Sequence, residues 1–186
     1  RIENGIISSN PMKGTIDAAI PDAKKKIRED KKESAEHTTI VDLIRNDLNI
    51  VSEKIWLEKF RYIETIKTNY KNLLQVSSEI RGKMPENYKE HLGSIFADLL
   101  PAGSVSGAPK KKTLAIIEYV EDYKRDFYTG VAGWFDGKSI DSFVMIRFIE
   151  KQDGQFVFKS GGGITNLSDV NSEYQELIDK IYIPVK

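Results

Sequence analysis

Two Asp-Gly pairs, Asp136-Gly137 and Asp153-Gly154, divide one part of the chain into three β-rich runs, "FYTGVAGWF", "SIDSFVMIRFIEK" and "QFVFKS". Asp-Gly between such runs is a strong hairpin signal, because the favoured two-residue turn needs positive φ at both central positions. Parallel neighbours would instead need a crossover of a dozen or more residues. The segment therefore predicts an antiparallel meander, with Tyr128 and Arg147 on successive strands.

The flanking sequence supplies helices to cover such a sheet. Arg1 to Ser8 alternates loosely and predicts a strand. After Pro21, "DAKKKIREDKKESAEHTTIVDLIRN" predicts one charged helix running to about Asn46. Its lysines, Lys24 to Lys26, read as a solvated face. Residues 50–82 are rich in Ile, Val, Tyr, Phe and Thr and predict two or three strands. Pro85 opens a helix through Leu99, and Pro109 opens another through about Tyr123. The triplet Gly161 to Gly163 leads into a last helix from about Asp169 to Ile181. With no internal repeat and no low-complexity linker, the expected fold class is α+β, one unit with antiparallel β-sheet flanked by helices.

Composition narrows the chemistry. The 186 residues are 40% hydrophobic, enough for one core or one lobe of a larger domain. Lys plus Arg and Asp plus Glu are balanced at 28 each, so no global field draws in nucleic acid or an anionic membrane. Cysteine is absent, which excludes disulfides, thiolate nucleophiles and zinc–thiolate sites and fits a reducing cytoplasm. No apolar run approaches the roughly 18 residues of a membrane helix. The start, "RIENGIISSNPMKG", has neither an apolar signal core nor an initiator methionine, so residue 1 is not expected to be the natural N-terminus.

Several clusters bear on chemistry. "GSVSGAPKKK", from Gly103 to Lys112, looks like a phosphate loop, but Gly103 and Gly107 are too close and Ala-Pro intervenes before Lys110. Two Glu-x-x-Glu pairs, Glu33 with Glu36 and Glu173 with Glu176, each present both carboxylates on one helix face. They fit either a hard cation such as Mg²⁺ or a solvated helix face. Neither His37 nor His91 has the spacing of a Glu-x-x-His di-iron ligand. Lys13, beside Gly14 and Thr15 in "NPMKGT", is either a desolvated nucleophile or a lysine in a surface turn. Arg147 in the apolar run "FVMIRFI" needs an anionic partner, which is either Asp141 or a substrate carboxylate. The glycine triplet can offer free N–H groups to a second carboxylate, as a nest does. Nothing supports a Ser-His-Asp arrangement.

Six stretches, "NPMKGT", "ESAEHTTIVDLIRNDL", "LPAGSVSGAPK", "YTGVAGWFDG", "VMIR" and "GGGITNLSDVNSEYQE", follow the order found in chorismate-utilising enzymes, which the chain resembles over nearly its whole length. Within that family it is most similar to the aminodeoxychorismate synthase branch. Lys13 stands in that branch's nucleophilic lysine slot, where other branches usually have alanine. Ser104 follows Gly103 where anthranilate synthases tend to have threonine, and Gln75 stands where many relatives have histidine. The sequence departs from the family after "KGT", where "IDAAIPDAKKK" replaces a basic, glycine-containing turn, and at Asn49, which replaces a glycine.

The resemblance implies an anthranilate-synthase-type fold, of which residues 1–186 are the C-terminal portion of a single chorismate-binding domain. The family's acid, a glutamate in a Ser-Pro-Glu motif, is then expected upstream of Arg1. The implied reaction joins chorismate and ammonia from a glutaminase partner into 4-amino-4-deoxychorismate, for folate synthesis. Lys13 would add at C2 as the C4 hydroxyl leaves, with Ser104 and Gln75 beside it as catalytic residues. Thr15, Tyr128 and Arg147 would contact substrate, the last two at the enolpyruvyl carboxylate. Gly161, Gly162 and Gly163 would hold the ring carboxylate with Lys180, and Mg²⁺ would sit on Glu33, Glu36, Glu173 and Glu176. Two alternatives remain open: an anthranilate synthase, or a non-catalytic module that binds another subunit.

Overall fold

The computed structural model describes residues 1–67, 71–165, 168–179 and 181. Its first strands are β1 (Ile2–Glu3), β2 (Ile6–Ser9) and β3 (Met12–Asp17), with the turn between β1 and β2 made by Asn4 and Gly5, both at positive φ. Two helices follow, α1 (Ala23–Glu29) and α2 (Lys31–Val51), then two long strands, β4 (Lys54–Lys67) and β5 (Asn72–Lys83). A 3-10 turn at Tyr88–His91 leads into α3 (Leu92–Leu99), the short α4 (Gly103–Ser106) and α5 (Lys110–Val120). Strands β6 (Val131–Phe135), β7 (Ile140–Val144), β8 (Arg147–Gln152) and β9 (Gln155–Ser160) precede α6 (Val170–Asp179).

The larger sheet runs in the order β3-β5-β2-β1-β7-β6, with β4 paired to β5, and β8 and β9 form a separate hairpin. Every pairing described is antiparallel. Strand β5 is the hub. It pairs with β4 along its whole length, while its other edge takes β3 at Leu73–Ser77 and β2 at Ile80–Lys83. The α+β class with antiparallel sheet is what the hairpin signals imply.

Helix α2 lies on this sheet through one stripe. His37, Val41, Leu48 and Val51 are buried, with Ile44 packed beside them, a spacing of three to four residues that keeps one face inward. They meet Ile2, Ile7, Ile80, Met84, Ile95 and Ile140 in the core. Burying each large aliphatic side chain is worth about 1.5–3 kcal/mol, which explains why the helix continues past Asn46 to Val51.

The expected single helix from Pro21 is broken at Asp30. Its φ and ψ are −63° and 111°, and its carboxylate accepts the Glu33 N–H at 2.9 Å, so it ends α1 and caps α2. The run "SIDSFVMIRFIEK" is likewise two strands, because Met145 leaves the ladder to exchange backbone bonds with Thr129 and Gly130. Tyr128 therefore sits in a turn before β6, and only Arg147 lies on a strand. The contacts divide the chain into two compact units, Arg1–Val120 with Trp134–Asp141, and Glu121–Gly133 with Ser142–Lys186.

Candidate active site

In the first unit a β-bulge sets the geometry. Met12 pairs with Ser77 and Thr15 with Gln75, so three steps on β3 oppose two on β5. The extra residue falls at Lys13-Gly14, where Gly14 has φ +86°. A bulge turns successive side-chain positions toward one side, and both of these face α2. Lys13 Nζ lies 2.7 Å from Glu36 Oε2, and a Cβ on Gly14 would lie 3.3 Å from Glu33 Oε2. Glycine is favoured there by its φ and by the approach of Glu33.

The Asp30 cap starts the helix that delivers Glu36 to Lys13 and Glu33 to Gly14. Glu33 Oε2 is buried and accepts no hydrogen bond. Burial is the main cause that raises the Glu33 pKa, with Glu36 and Asp30 adding to it and Lys13 opposing. A buried, unsatisfied carboxylate oxygen next to a second carboxylate suits a hard cation, since Mg²⁺ is commonly held by one or two protein carboxylates plus water and substrate. Among the described residues, no three His, Asp or Glu side chains are grouped to hold a metal by themselves.

Directly behind the bulge lies a histidine that spacing arguments pass over. His37 is 1% exposed, and its Nε2 is 2.7 Å from Ser78 Oγ, itself 0% exposed. Burial lowers the His37 pKa, Arg61 lowers it further, and the Lys13 backbone pulls the other way. Arg61, at φ 47°, donates its N–H to Ser78 Oγ at 3.0 Å. Its guanidinium reaches Ser34 Oγ at 2.8 Å and the Arg28 carbonyl at 3.1 Å, at the end of α1. The signal available in the sequence was His37 four residues before Val41, on the apolar stripe of α2.

The remaining candidates of this unit lie elsewhere. Leu74, Val76, Ser78 and Ile80 are buried on the face of β5 whose Ser78 meets α2, while Ser77, on the other face, is buried by its neighbours on β3 and β4. Gln75 therefore belongs to the opposite face, in register with Thr15 on β3 and Glu64 on β4. Ser104 is exposed on α4. That segment docks on Asp47, which accepts the Gly103 N–H at 2.8 Å and pairs with Lys110 Nζ at 2.9 Å. A Cβ on Gly103 would lie 2.7 Å from Asp47 Oδ2, so this glycine admits the carboxylate. Lys110 thus anchors its loop, and Asp47 is about 16 Å from Glu36 along the helix at 1.5 Å per residue.

In the second unit, Tyr128 and Gly161 are brought together. A Cβ on Gly161 would collide with the Tyr128 hydroxyl and ring carbon. Burial raises the Tyr128 pKa, chiefly against the lowering by Arg125, whose guanidinium stacks 5.6 Å from the ring centroid. Arg125 is held by both oxygens of Glu121, at 2.7 and 2.6 Å. Arg147 opens β8 opposite Ser160, the residue before Gly161. It is exposed, and among the described residues no ion pair joins it to Asp141 or to another carboxylate. An exposed guanidinium keeps its water, which removes the need for an internal partner.

None of Gly161, Gly162 and Gly163 has positive φ, so the triplet does not adopt the alternating hand of a nest. A Cβ on Gly162 or Gly163 would meet nothing within 4 Å. Glu173 lies in the first turn of α6. The side chain of Glu176, and Lys180 altogether, lie outside the described residues.

Comparison with known proteins assigns the architecture. The model of the chorismate binding enzyme family matches residues 1–186. An uncharacterized PabA-like protein of Pasteurella multocida (strain Pm70) is 54% identical over 99% of this chain and 57% of its own length. Aminodeoxychorismate synthase component 1 of Bacillus subtilis (strain 168) is 34% identical over 81% of this chain and 32% of its own length. The crystal structure of anthranilate synthase component I from Streptococcus pneumoniae TIGR4 superposes with a TM-score of 0.79, at 30% identity over 96% of this chain and 40% of that one. The chain spans about half the length, or less, of the relatives it matches. It shares the fold of anthranilate synthase component I, and it belongs to the chorismate-binding enzyme family.

Proposed function

We propose that the intact protein aminates chorismate to 4-amino-4-deoxychorismate, with Lys13 as a covalent nucleophile and with ammonia from a glutaminase partner. The carrying observation is the placement of the Lys13 amine, projected by a β-bulge onto Glu36 at 2.7 Å beside a buried Glu33 oxygen. A lysine in water has a pKa of about 10.4 and is not nucleophilic at neutral pH. The ion pair with Glu36 favours the charged amine, so a cation that neutralises Glu36 and a substrate that desolvates the amine would together favour its uncharged form. The Lys13 nitrogen bonds to C2 of the ring as the C4 hydroxyl leaves as water. Ammonia then bonds to C4, both ring double bonds shift back to their original positions and the C2–nitrogen bond breaks, which regenerates the lysine.

Glu33 and Glu36 are the described residues that would hold Mg²⁺, and the family resemblance adds Glu173 and Glu176. Bound there, the ion would supply positive charge to offset the substrate's two carboxylates. In the second unit Arg147, exposed and without an ion pair among the described residues, is available for a carboxylate, and its charge acts to lower the Tyr128 pKa.

A second reading, anthranilate formation, is favoured by the structural match to anthranilate synthase component I. The product separates the two. Full-length protein supplied with chorismate, ammonium and Mg²⁺ is expected to form aminodeoxychorismate without releasing pyruvate. Pyruvate together with anthranilate would give the second reading the site. Lys13→Ala should lower aminodeoxychorismate formation roughly a hundredfold or more, the scale of losing a covalent nucleophile. Parental turnover in that variant under saturating ammonium would refute covalent catalysis.

A further inference from the structure

Helix α2 sits astride β5 and is held from both neighbouring strands. On one side the β3 bulge sets Lys13 Nζ 2.7 Å from Glu36 and brings Gly14 against Glu33. On the other, Lys59 pairs with Glu79 and Tyr62 with Ser77. Three steps on β4 therefore oppose two on β5, and an extra residue falls at Phe60-Arg61. Both of these residues also meet α2. Phe60 sets its ring edge-on to His37, with centroids 6.1 Å apart and planes at 65°. Arg61 reaches Ser34 Oγ with Nη1 at 2.8 Å. Glu33 and Glu36 thus look to β3, while Ser34 and His37, each one residue further on, look to β4.

Arginine is not the residue such a bulge favours. Its φ of 47° is left-handed, a conformation that glycine adopts without strain. Its Nε is moreover buried with no hydrogen-bond partner among the described residues. Two local penalties are accepted by a residue whose remaining donors are all directed at the elbow between α1 and α2. Nη1 donates to Ser34 at the start of α2, and Nη2 donates to the Arg28 carbonyl at 3.1 Å, with the Ile27 carbonyl at 3.4 Å. Those carbonyls belong to the last turn of α1, where the helix leaves them without partners and where a cation is favoured. The Arg61 N–H is itself held by Ser78 Oγ on β5 at 3.0 Å. One residue therefore ties the sheet to both helices on either side of Asp30. A planar guanidinium suits this, because its donors diverge in fixed directions.

We propose that Arg61 is a positioning residue for the Glu33–Glu36 pair: by bridging β4, the end of α1 and the start of α2, it fixes the elbow and with it the approach of the pair to the Lys13–Gly14 bulge. The Asp30 cap starts α2 but does not set how the helix is rolled over the sheet. Contacts from both edges of β5 do set it. Lys13 fixes one flank and Arg61 the other, so loosening Arg61 lets the carboxylates swing away from β3.

This inference rests on the reading of Glu33 and Glu36 as holders of a hard cation, and its test separates the two. Mn²⁺ serves as the probe in place of Mg²⁺. Its binding to the full-length protein without substrate is read from the paramagnetic resonance of the free ion. Glu36→Gln checks the reading and is expected to lose most of the binding. Arg61→Gly suits the left-handed backbone and deletes only the bridge. It is expected to melt close to the parent yet to bind Mn²⁺ about ten- to a hundredfold more weakly, the scale for residues that orient metal ligands. Arg61→Lys should fall between the two. Ser34→Ala should weaken binding roughly threefold or more in the parent and add nothing in Arg61→Gly, where its partner is already gone. Parental Mn²⁺ affinity in Arg61→Gly, or effects of Ser34→Ala and Arg61→Gly that simply add, would overturn the proposal. Should Arg61→Gly melt far below the parent, parental affinity in both Ser34→Ala and Arg61→Lys overturns it instead, and losses in both support it. If Glu36→Gln binds Mn²⁺ as the parent does, the cation reading fails and the inference with it. Loss in Glu36→Gln with none in Arg61→Gly removes the inference alone.

Discussion

Glu33 is the residue at which folding and function oppose each other. Desolvation raises its pKa above the ordinary 4.5, so the folded chain holds this proton more tightly than the unfolded one. A raised carboxyl pKa favours folding fully only below the ordinary value, and the benefit disappears as pH rises through the folded pKa. At neutral pH the ionised group is therefore a net cost of folding. Glu33→Gln should melt at a higher temperature than the parent at pH 7 with chelator present, and the gap should close as pH falls through about 4.5. A variant less stable than the parent at pH 7 would show that the Lys13 charge outweighs the burial. In the full-length protein the same change should weaken the Mg²⁺ dependence of turnover, read from a titration of activity against the ion. Residue types in the sequence singled out Lys13 and the Glu33–Glu36 pair, each by itself. They could not show that a bulge joins them, because the bulge is a register offset between β3 and β5, strands separated by two helices in the chain.

Among the elements, α2 carries information in both directions. Its N-terminal half presents Glu33 and Glu36 to β3, and its C-terminal half holds α4 and Lys110 through Asp47. Asp47→Ala removes the acceptor of the Gly103 N–H and the partner of Lys110 together. Hydrogen bonds to charged groups contribute about 1.5–3 kcal/mol, and the Asp47 side chain is 16% exposed, so a loss in that range is expected from urea unfolding. Lys110→Met should cost less, about 1 kcal/mol at most, since it leaves the Gly103 bond in place. Equal losses would place the whole effect in the ion pair. The sequence reading set aside a phosphate cradle before Lys110, because Ala-Pro spoils its spacing. It missed the break at Asp30 although the signal was present: Asp30 followed three residues later by Glu33 is a capping pattern inside an otherwise continuous helical run. It also ran β7 and β8 together, because the bonds that divide them come from Thr129 and Gly130, outside the apolar pattern.

At the scale of the whole molecule, burial is distributed unequally between the two compact units. Among the described residues, all the buried hydrophobic ones belong to the first, and none of the second is buried. The second unit holds its form through the β8–β9 ladder, the Arg125–Glu121 pair and the packing of Tyr128 on Gly161. The β-rich runs and Asp-Gly turns that made residues 127–160 legible as strands were thus a correct guide to hairpins and a poor guide to the core, since neither reports what covers a strand. An isolated two-stranded ribbon is marginally stable in water. Strand β5, flanked by β4 on one edge and by β2 and β3 on the other, is expected to open only with global unfolding, roughly 5–15 kcal/mol for a domain. In the 186-residue chain, amides of Leu74 to Ile80 should be the slowest to exchange with deuterium, and those of β8 and β9 should exchange through local openings at a small fraction of that free energy. The first unit would keep its protection while the hairpin exchanged. Matching protection in β5 and β8–β9 would mean that both units unfold as one cooperative body, and that surface exposure in the second unit does not govern its stability.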